Sequence, residues 1–229
     1  MRGAKRRLGG LAGNAGLLAV IGLASVSAGG AGATSAPQVF ALTIRATTFA
    51  NIDHTDAPAA SGGCTTMSRA KGLLTIRFAT RRPVLVRFAG GRLQPVTVAP
   101  LDGTAVLTGS NALTETCAAG QQTVSTEPCP RSTRRFRGAR TTLDGTHSGA
   151  IAVGPVGITL RPIDCPREPD ELRRAYLAPT PGPLRVTLRP RSTQLTLRAT
   201  AARTKSYGSP ESGILTQRTI WKFMFARRH

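Results

Sequence analysis

The chain has few aromatic and few acidic residues, and these shortages already exclude several classes of protein. Ten of its 229 residues are aromatic, only one of them tryptophan, and 11 acidic residues stand against 31 basic ones. Proteins that bind single-stranded nucleic acid usually stack bases on a row of exposed aromatic rings, so we expect no specific nucleic-acid partner. Beyond the N-terminal segment, no apolar run reaches the roughly 20 residues that a membrane-spanning helix needs, so we expect no transmembrane segment in the mature chain.

Motifs that would fix a cofactor, a metal or a reaction are also missing. The sequence has no glycine-rich phosphate loop, no dinucleotide-binding motif, no zinc-protease motif and no Cys-x-x-Cys pair. The three histidines, His54, His147 and His229, are scattered along the chain. We therefore expect no cofactor, no metal and no catalytic residues, and the sequence favours a protein that is not an enzyme.

The first 33 residues have the features of a cleavable secretory signal peptide. Four basic residues precede an apolar core, residues 16–26, and Ala31-Gly32-Ala33 then offers the small-residue pattern of a cleavage site. A retained membrane anchor is the alternative. The sequence predicts a signal peptide over 1–33, a single mature domain over 34–229, and a location outside the cell or in the extracytoplasmic envelope.

The mature chain would carry a large positive charge. Removing residues 1–33 would remove four basic residues and no acidic one, leaving 27 basic against 11 acidic residues and a net charge of +16. This charge favours anionic extracellular partners. However, arginine outnumbers lysine by 27 to 4, and a compositional bias of this kind would give the same charge without any ligand. Both interpretations stay open.

A recurring four-residue pattern of apolar, Thr, apolar and Arg is typical of β-strands with one buried face. Alternation along a strand sends the aliphatic side chains to one side and Thr and Arg to the other, and β-branched Thr suits a half-exposed sheet surface. The pattern occurs at residues 42–45, 74–77, 158–161, 186–189 and 195–198.

Strands and turn signals together predict an all-β fold, an antiparallel β-sandwich of immunoglobulin-like or jelly-roll-like type. Gly90-Gly91 and Asp102-Gly103 are expected to turn residues 72–109 into a four-stranded meander, and residues 184–200 are expected to form another hairpin. The final strand, 213–227, would place Trp221 and its aromatic neighbours in the core. Further strands are predicted at 38–48, 133–141, 149–153 and 156–161.

Four cysteines in an exported chain indicate two disulfides. Cys117 and Cys129 bracket a polar loop between two predicted strands, so we expect these two to pair and to leave Cys64 for Cys165. The sequence alone permits three pairings.

Seven arginines are the candidates for contacts with an anionic extracellular polymer. Some lie in the basic stretch 134–140, where alternation would place Arg134 and Arg140 on the same face as Phe136. The others lie on the polar face of the predicted hairpin, where adjacent strands would bring guanidinium groups into one patch. The candidates are Arg134, Arg135, Arg137, Arg140, Arg185, Arg189 and Arg198.

The sequence thus predicts an exported, non-catalytic protein that binds an extracellular ligand or is a structural component of the cell envelope. The alternative is a secreted hydrolase of wall or polysaccharide substrates, which would need paired carboxylates. Four acids near Cys165 could supply them: Asp164, Glu168, Asp170 and Glu171. A groove holding such a pair would favour the hydrolase, whereas a flat face of Arg and Thr would favour binding.

Three local features occur together in the mature chain. Arg81-Arg82-Pro83-Val84 leads into an early strand, Cys165-Pro166 lies in a late loop, and the terminal strand combines tryptophan with arginine. In this layout the chain resembles secreted all-β proteins of high-GC actinobacteria. The resemblance is spread over the mature chain, and it implies export and a β fold but neither an activity nor particular site residues.

Overall fold

Antiparallel β-strands make up all the regular secondary structure in the described part of the chain. A computed structural model describes residues 37–146, 149–158, 176–187, 193–208 and 211–228, all within one compact unit, Ser35–His229. The predicted signal peptide lies outside these residues. Within them, no helix is long and apolar enough to cross a membrane. The strands are β1 (Gln38–Thr55), β2 (Ala59–Ser61), β3 (Cys64–Thr80), β4 (Val84–Ala89), β5 (Arg92–Leu93), β6 (Thr97–Cys117), β7 (Gln122–Gly145), β8 (Ala150–Val153), β9 (Val156–Ile158), β10 (Tyr176–Ala178), β11 (Leu184–Arg185), β12 (Gln194–Tyr207) and β13 (Ser212–Arg227).

Eleven of these strands form one sheet whose main path runs β11-β8-β7-β6-β3-β1-β13-β12. Strand β2 pairs with β3, β4 pairs with β1 and β5, and β9 and β10 form a separate two-stranded sheet. Strand β1 pairs with β13 along nearly its whole length, while its other edge pairs first with β4 and then with β3. The all-β, antiparallel prediction is confirmed, and the arrangement is consistent with a β-sandwich.

The four-residue pattern behaves as predicted wherever the structure describes it in full. In β1, Leu42 and Ile44 are buried while Arg45 is exposed, and Leu74, Ile76 and Arg77 repeat this in β3. Period-two alternation therefore divides the long strands into a core-facing side and a solvent-facing side.

The core lies between the long strands and the shorter elements. Trp221 is fully buried, its indole Nε1 donates a hydrogen bond to the carbonyl oxygen of Pro179 at 2.9 Å, and its ring packs against Phe78 and Phe223. The predicted last strand and its aromatic core face are thus confirmed. The same core includes residues of β4, β5, β8 and β9, so the short strands share one core with the long ones.

The predicted meander over 72–109 is wrong in its pairing. Gly90 and Gly91 have positive φ and form the expected β4–β5 hairpin, but β4 pairs with β1 and β3 pairs with β6. Asp102-Gly103 lies at a bulge inside β6. A Cβ on Gly103 would collide with the Arg77 carbonyl oxygen and the Phe136 ring. This glycine permits close packing within a strand, whereas the sequence suggested a turn.

The predicted hairpin over 184–200 is also wrong. Strand β11 pairs with β8, while β12 pairs with β13 at the opposite end of the strand order. Both segments have the right alternation, but alternation does not specify which neighbour a strand takes.

The predicted disulfide pairing is wrong as well. Cys64 is bonded to Cys117, its direct cross-strand partner between β3 and β6. Cys129 is also disulfide-bonded, and its position opposite Gly109 explains why it does not reach Cys117. The turn between β6 and β7 ends before Gln122, so Cys129 is already well along β7. Cys165 lies outside the described residues.

Candidate functional site

The solvent-facing side of the large sheet collects basic side chains from several strands. We call this side of β12, β13, β1, β3, β6 and β7 the open face; it lies opposite the core. Alternation assigns residues to it: Arg45 is exposed between buried Ile44 and Ala46, and Arg77 is exposed between buried Ile76 and Phe78. Its basic residues include Arg45, Arg69, Lys71, Arg77, Arg135, Arg140, Arg198, Arg218 and Lys222.

Three of these cations form a row in direct cross-strand register. Arg198 of β12 is paired with Lys222 of β13, which is paired with Arg45 of β1. Neighbouring strands lie about 4.8 Å apart, and like charges directly opposite each other on one face destabilise a sheet. Among the described residues, none of the three forms an ion pair.

A second row continues the charge across the sheet, two residues further along β1. Thr47 is paired with Arg77, Arg77 with Thr104, and Thr104 with Arg135. Threonine thus separates the arginines, which keeps the row polar while its guanidinium groups remain in solvent.

One cation of the open face is already neutralised by a carboxylate. Arg69 donates from Nε to Oδ1 of Asp53 at 2.9 Å and from a terminal nitrogen to Oδ2 at 2.7 Å. These hydrogen bonds lower the pKa of Asp53 below its ordinary value. Any stability from this pair is therefore present above the ordinary carboxyl pKa, and it is lost as pH falls through the lowered pKa.

The open face is grooved because long cations stand beside short side chains. A groove of about 430 Å³ has Thr47, Ala79 and Thr104 among its lining residues, with Arg45, Arg77, Asp102, Ile220 and Lys222 around them. A depression of about 150 Å³ also involves Arg77, together with Arg131. Another of about 430 Å³ lies near Lys71. The two larger grooves are shallow and open widely to solvent, and basic side chains line them.

The groove chemistry suits an anionic ligand that also carries apolar surface. Guanidinium and ammonium groups bind sulfate, phosphate and carboxylate oxygens with charge-assisted hydrogen bonds. Exposed apolar side chains lie between the cations on the same face, and they can contact the rings or carbon chain of such a ligand. They are Phe49, Leu73, Ile214 and Ile220.

The structure separates the seven arginines that the sequence grouped. Arg198 and Arg135 lie on the open face, whereas Arg134 lies opposite buried Ala105 and shares the face of Phe136. Arg140 was predicted to share that face too, and this is wrong. The bulge at Gly138 shifts the alternation, so Arg140 lies opposite exposed Pro100 on the other side.

The remaining candidates do not form the predicted patch in the described structure. Arg137 is exposed at the β7 bulge, and Arg185 lies on β11, at the opposite end of the strand order from Arg198. Arg189 lies outside the described residues, as do the four acids near Cys165 that the hydrolase alternative needs.

Sequence reasoning missed Arg45, Arg77 and Lys222 as site residues. A signal for two of them was present, because Arg45 and Arg77 end copies of the same four-residue pattern as Arg198. Lys222 had no such signal, and its place depends on the β12–β13–β1 register.

Comparison of the chain with protein families, with curated proteins and with solved structures returns no match. The site is therefore interpreted from its geometry and chemistry.

Proposed function

We propose that the protein is an exported binding protein that holds an extended anionic polymer on its open face and acts without catalysis. The observation that carries this proposal is the row Arg198–Lys222–Arg45. At about 4.8 Å between strands, the cations lie within the screening length of about 8 Å at physiological salt. Anions lying over the row would relieve a repulsion that salt alone does not remove.

The extent of the charge supports a polymer over a small ion. From Arg198 on β12 to Arg135 on β7 the basic residues cross five strand-to-strand steps, or about 24 Å at the usual strand spacing. A sulfate or phosphate ion would contact only one part of this surface. A chain with regularly spaced anionic groups can contact both rows and fill the grooves.

The expected place of action is outside the cytoplasm. The N-terminal sequence has the pattern of a secretory signal, and the Cys64–Cys117 disulfide is compatible with an oxidising compartment. Wall or matrix polymers that carry sulfate, phosphate or carboxylate groups belong to the class that this face would bind.

Removing charge from the row should weaken polyanion binding more than removing the same charge from the other face. We expect Arg45→Gln with Arg198→Gln to elute from heparin at lower salt than the wild type. The slope of log affinity against log salt should fall by about one per lost contact. The measurements are heparin chromatography and affinity titrations over a salt series.

A matched control is Arg134→Gln with Arg203→Gln. These exposed arginines lie opposite Ala105 and Gln217 on the core-facing side of the sheet, and the double variant has the same net charge as the test variant. Equal elution of the two double variants would show that heparin responds to net charge alone and would contradict the proposal.

Freeing Arg69 should strengthen the same binding. In Asp53→Asn the side chain loses the negative charge that neutralises Arg69, so we expect elution from heparin at higher salt. Glu127→Gln is the control, because it makes the same change in net charge on the core-facing side. Glu127 lies in the cross-strand row that contains His54. A shift of equal size in the control would argue against a contribution from the open face.

A further inference from the structure

Three potential metal ligands converge where β1 ends and β13 begins, away from the open face. His54 is almost fully buried, at 1% exposure for the whole residue. Its Nε2 lies 2.8 Å from Oδ1 of Asp56 and 3.8 Å from Oε2 of Glu211. The three ligand atoms all lie within 4.8 Å of one another.

The sheet register brings these groups together and holds them. His54 is the direct cross-strand partner of Gly213. Asp56 comes two residues after His54, and Glu211 comes two residues before Gly213, so both carboxylates leave adjacent antiparallel strands at the same end of the sheet. Both carboxylates therefore lie near the same imidazole nitrogen, Nε2.

Both carboxylates face the same imidazole nitrogen. Nε2 of His54 lies within hydrogen-bond distance of Oδ1 of Asp56. Glu211 faces the same nitrogen at 3.8 Å, and its only ion pair among the described residues is with His54. A divalent cation, by contrast, can accept the nitrogen lone pair and an oxygen from each carboxylate at once.

The spacing fits a tetrahedral ion after a small adjustment. Two ligands at 2.0–2.1 Å from Zn²⁺ are about 3.3 Å apart at the tetrahedral angle, and the observed 2.8 and 3.8 Å lie on either side of this value. Imidazole nitrogen and carboxylate oxygen are both ordinary zinc ligands, and three protein ligands leave a fourth position for water.

We propose that His54, Asp56 and Glu211 form a Zn²⁺ site. The chain has 11 acidic residues against 31 basic ones, yet two of the acids meet at one buried imidazole. The site is independent of the proposed polymer binding, because its ligands lie on the core-facing side and the loops beyond it.

The test is a titration of the untagged, full protein with ZnCl₂ by calorimetry, with melting curves in parallel. We expect one Zn²⁺ bound per chain and a higher melting temperature when it is bound. Glu211→Gln and Asp56→Asn should each weaken binding by at least about tenfold, as losses around zinc sites commonly do. Glu211 is partly exposed, so Glu211→Gln should fold normally.

The control Glu127→Gln should bind Zn²⁺ as the wild type does, because Glu127 lies three strands away in the row of His54. Two results would overturn the proposal. One is wild-type protein without saturable Zn²⁺ binding. The other is Glu211→Gln protein that binds with wild-type affinity, since the ion would then be held elsewhere, for example by His147 or His229.

Discussion

Replacing Trp221 with alanine should lower the free energy of unfolding by about 3–5 kcal/mol, the usual cost of truncating a buried large aromatic side chain. The indole is fully buried, stacks on Phe223 at 5.7 Å between ring centroids and meets Phe78 edge-on at 5.4 Å. Its loss would open a cavity that these rings can only partly fill. It would also leave the Pro179 carbonyl without its indole donor.

Urea denaturation measures this loss, and two further variants separate its causes. Trp221→Phe keeps an aromatic ring but removes the N–H group, so it should show mainly the cost of an unsatisfied buried carbonyl, about 1–3 kcal/mol. Ile220→Ala changes the preceding residue, which is 43% exposed on the open face, and should alter stability by no more than about 0.5 kcal/mol. Equal destabilisation by Trp221→Ala and Ile220→Ala would contradict the assigned core.

The faces of individual strands could be predicted from the sequence because alternation is a local property. Leu42, Ile44 and Arg45 take their predicted sides, and so do Trp221 and Phe223. Strand pairing is not local. The signal Asp102-Gly103 is the same for a hairpin as for a bulge, and only the closeness of Arg77 and Phe136 distinguishes them.

The candidate site was likewise predictable only where it depends on alternation within single strands. The sequence correctly indicated that arginines would line the polar side of strands, but Arg45 and Arg198 are more than 150 residues apart and meet through β13. The expected partner of Arg198, Arg185, instead lies on β11. His54 and Glu211 are similarly remote in sequence, so no local motif could have revealed their contact.

Removing the Cys64–Cys117 disulfide should cause the other large loss in the free energy of unfolding. The bond closes a loop with a sequence separation of 53, and for a loop of this length the chain-entropy estimate of its stabilisation is about 4 kcal/mol. The bond also lies where β3 and β6 extend beyond the end of β1, with half-exposed or exposed residues on both faces. Few buried apolar contacts hold the strands together there, so the cross-link has a local role as well.

We therefore expect Cys64→Ser with Cys117→Ser to unfold at lower urea and to show faster amide exchange at residues 64–69 and 112–117 than at the core of β3. The matched control is Thr65→Ser with Thr116→Ser, the adjacent cross-strand pair, which removes two methyl groups but no cross-link.

Non-reducing peptide mapping of the wild type should recover the Cys64–Cys117 peptide, with Cys129 linked to neither. If the cysteine variant unfolds at the same urea concentration as the threonine variant, the bond does not contribute to stability as proposed. If the mapping links Cys117 to Cys129, the register of β6 on β7 is different from the one described.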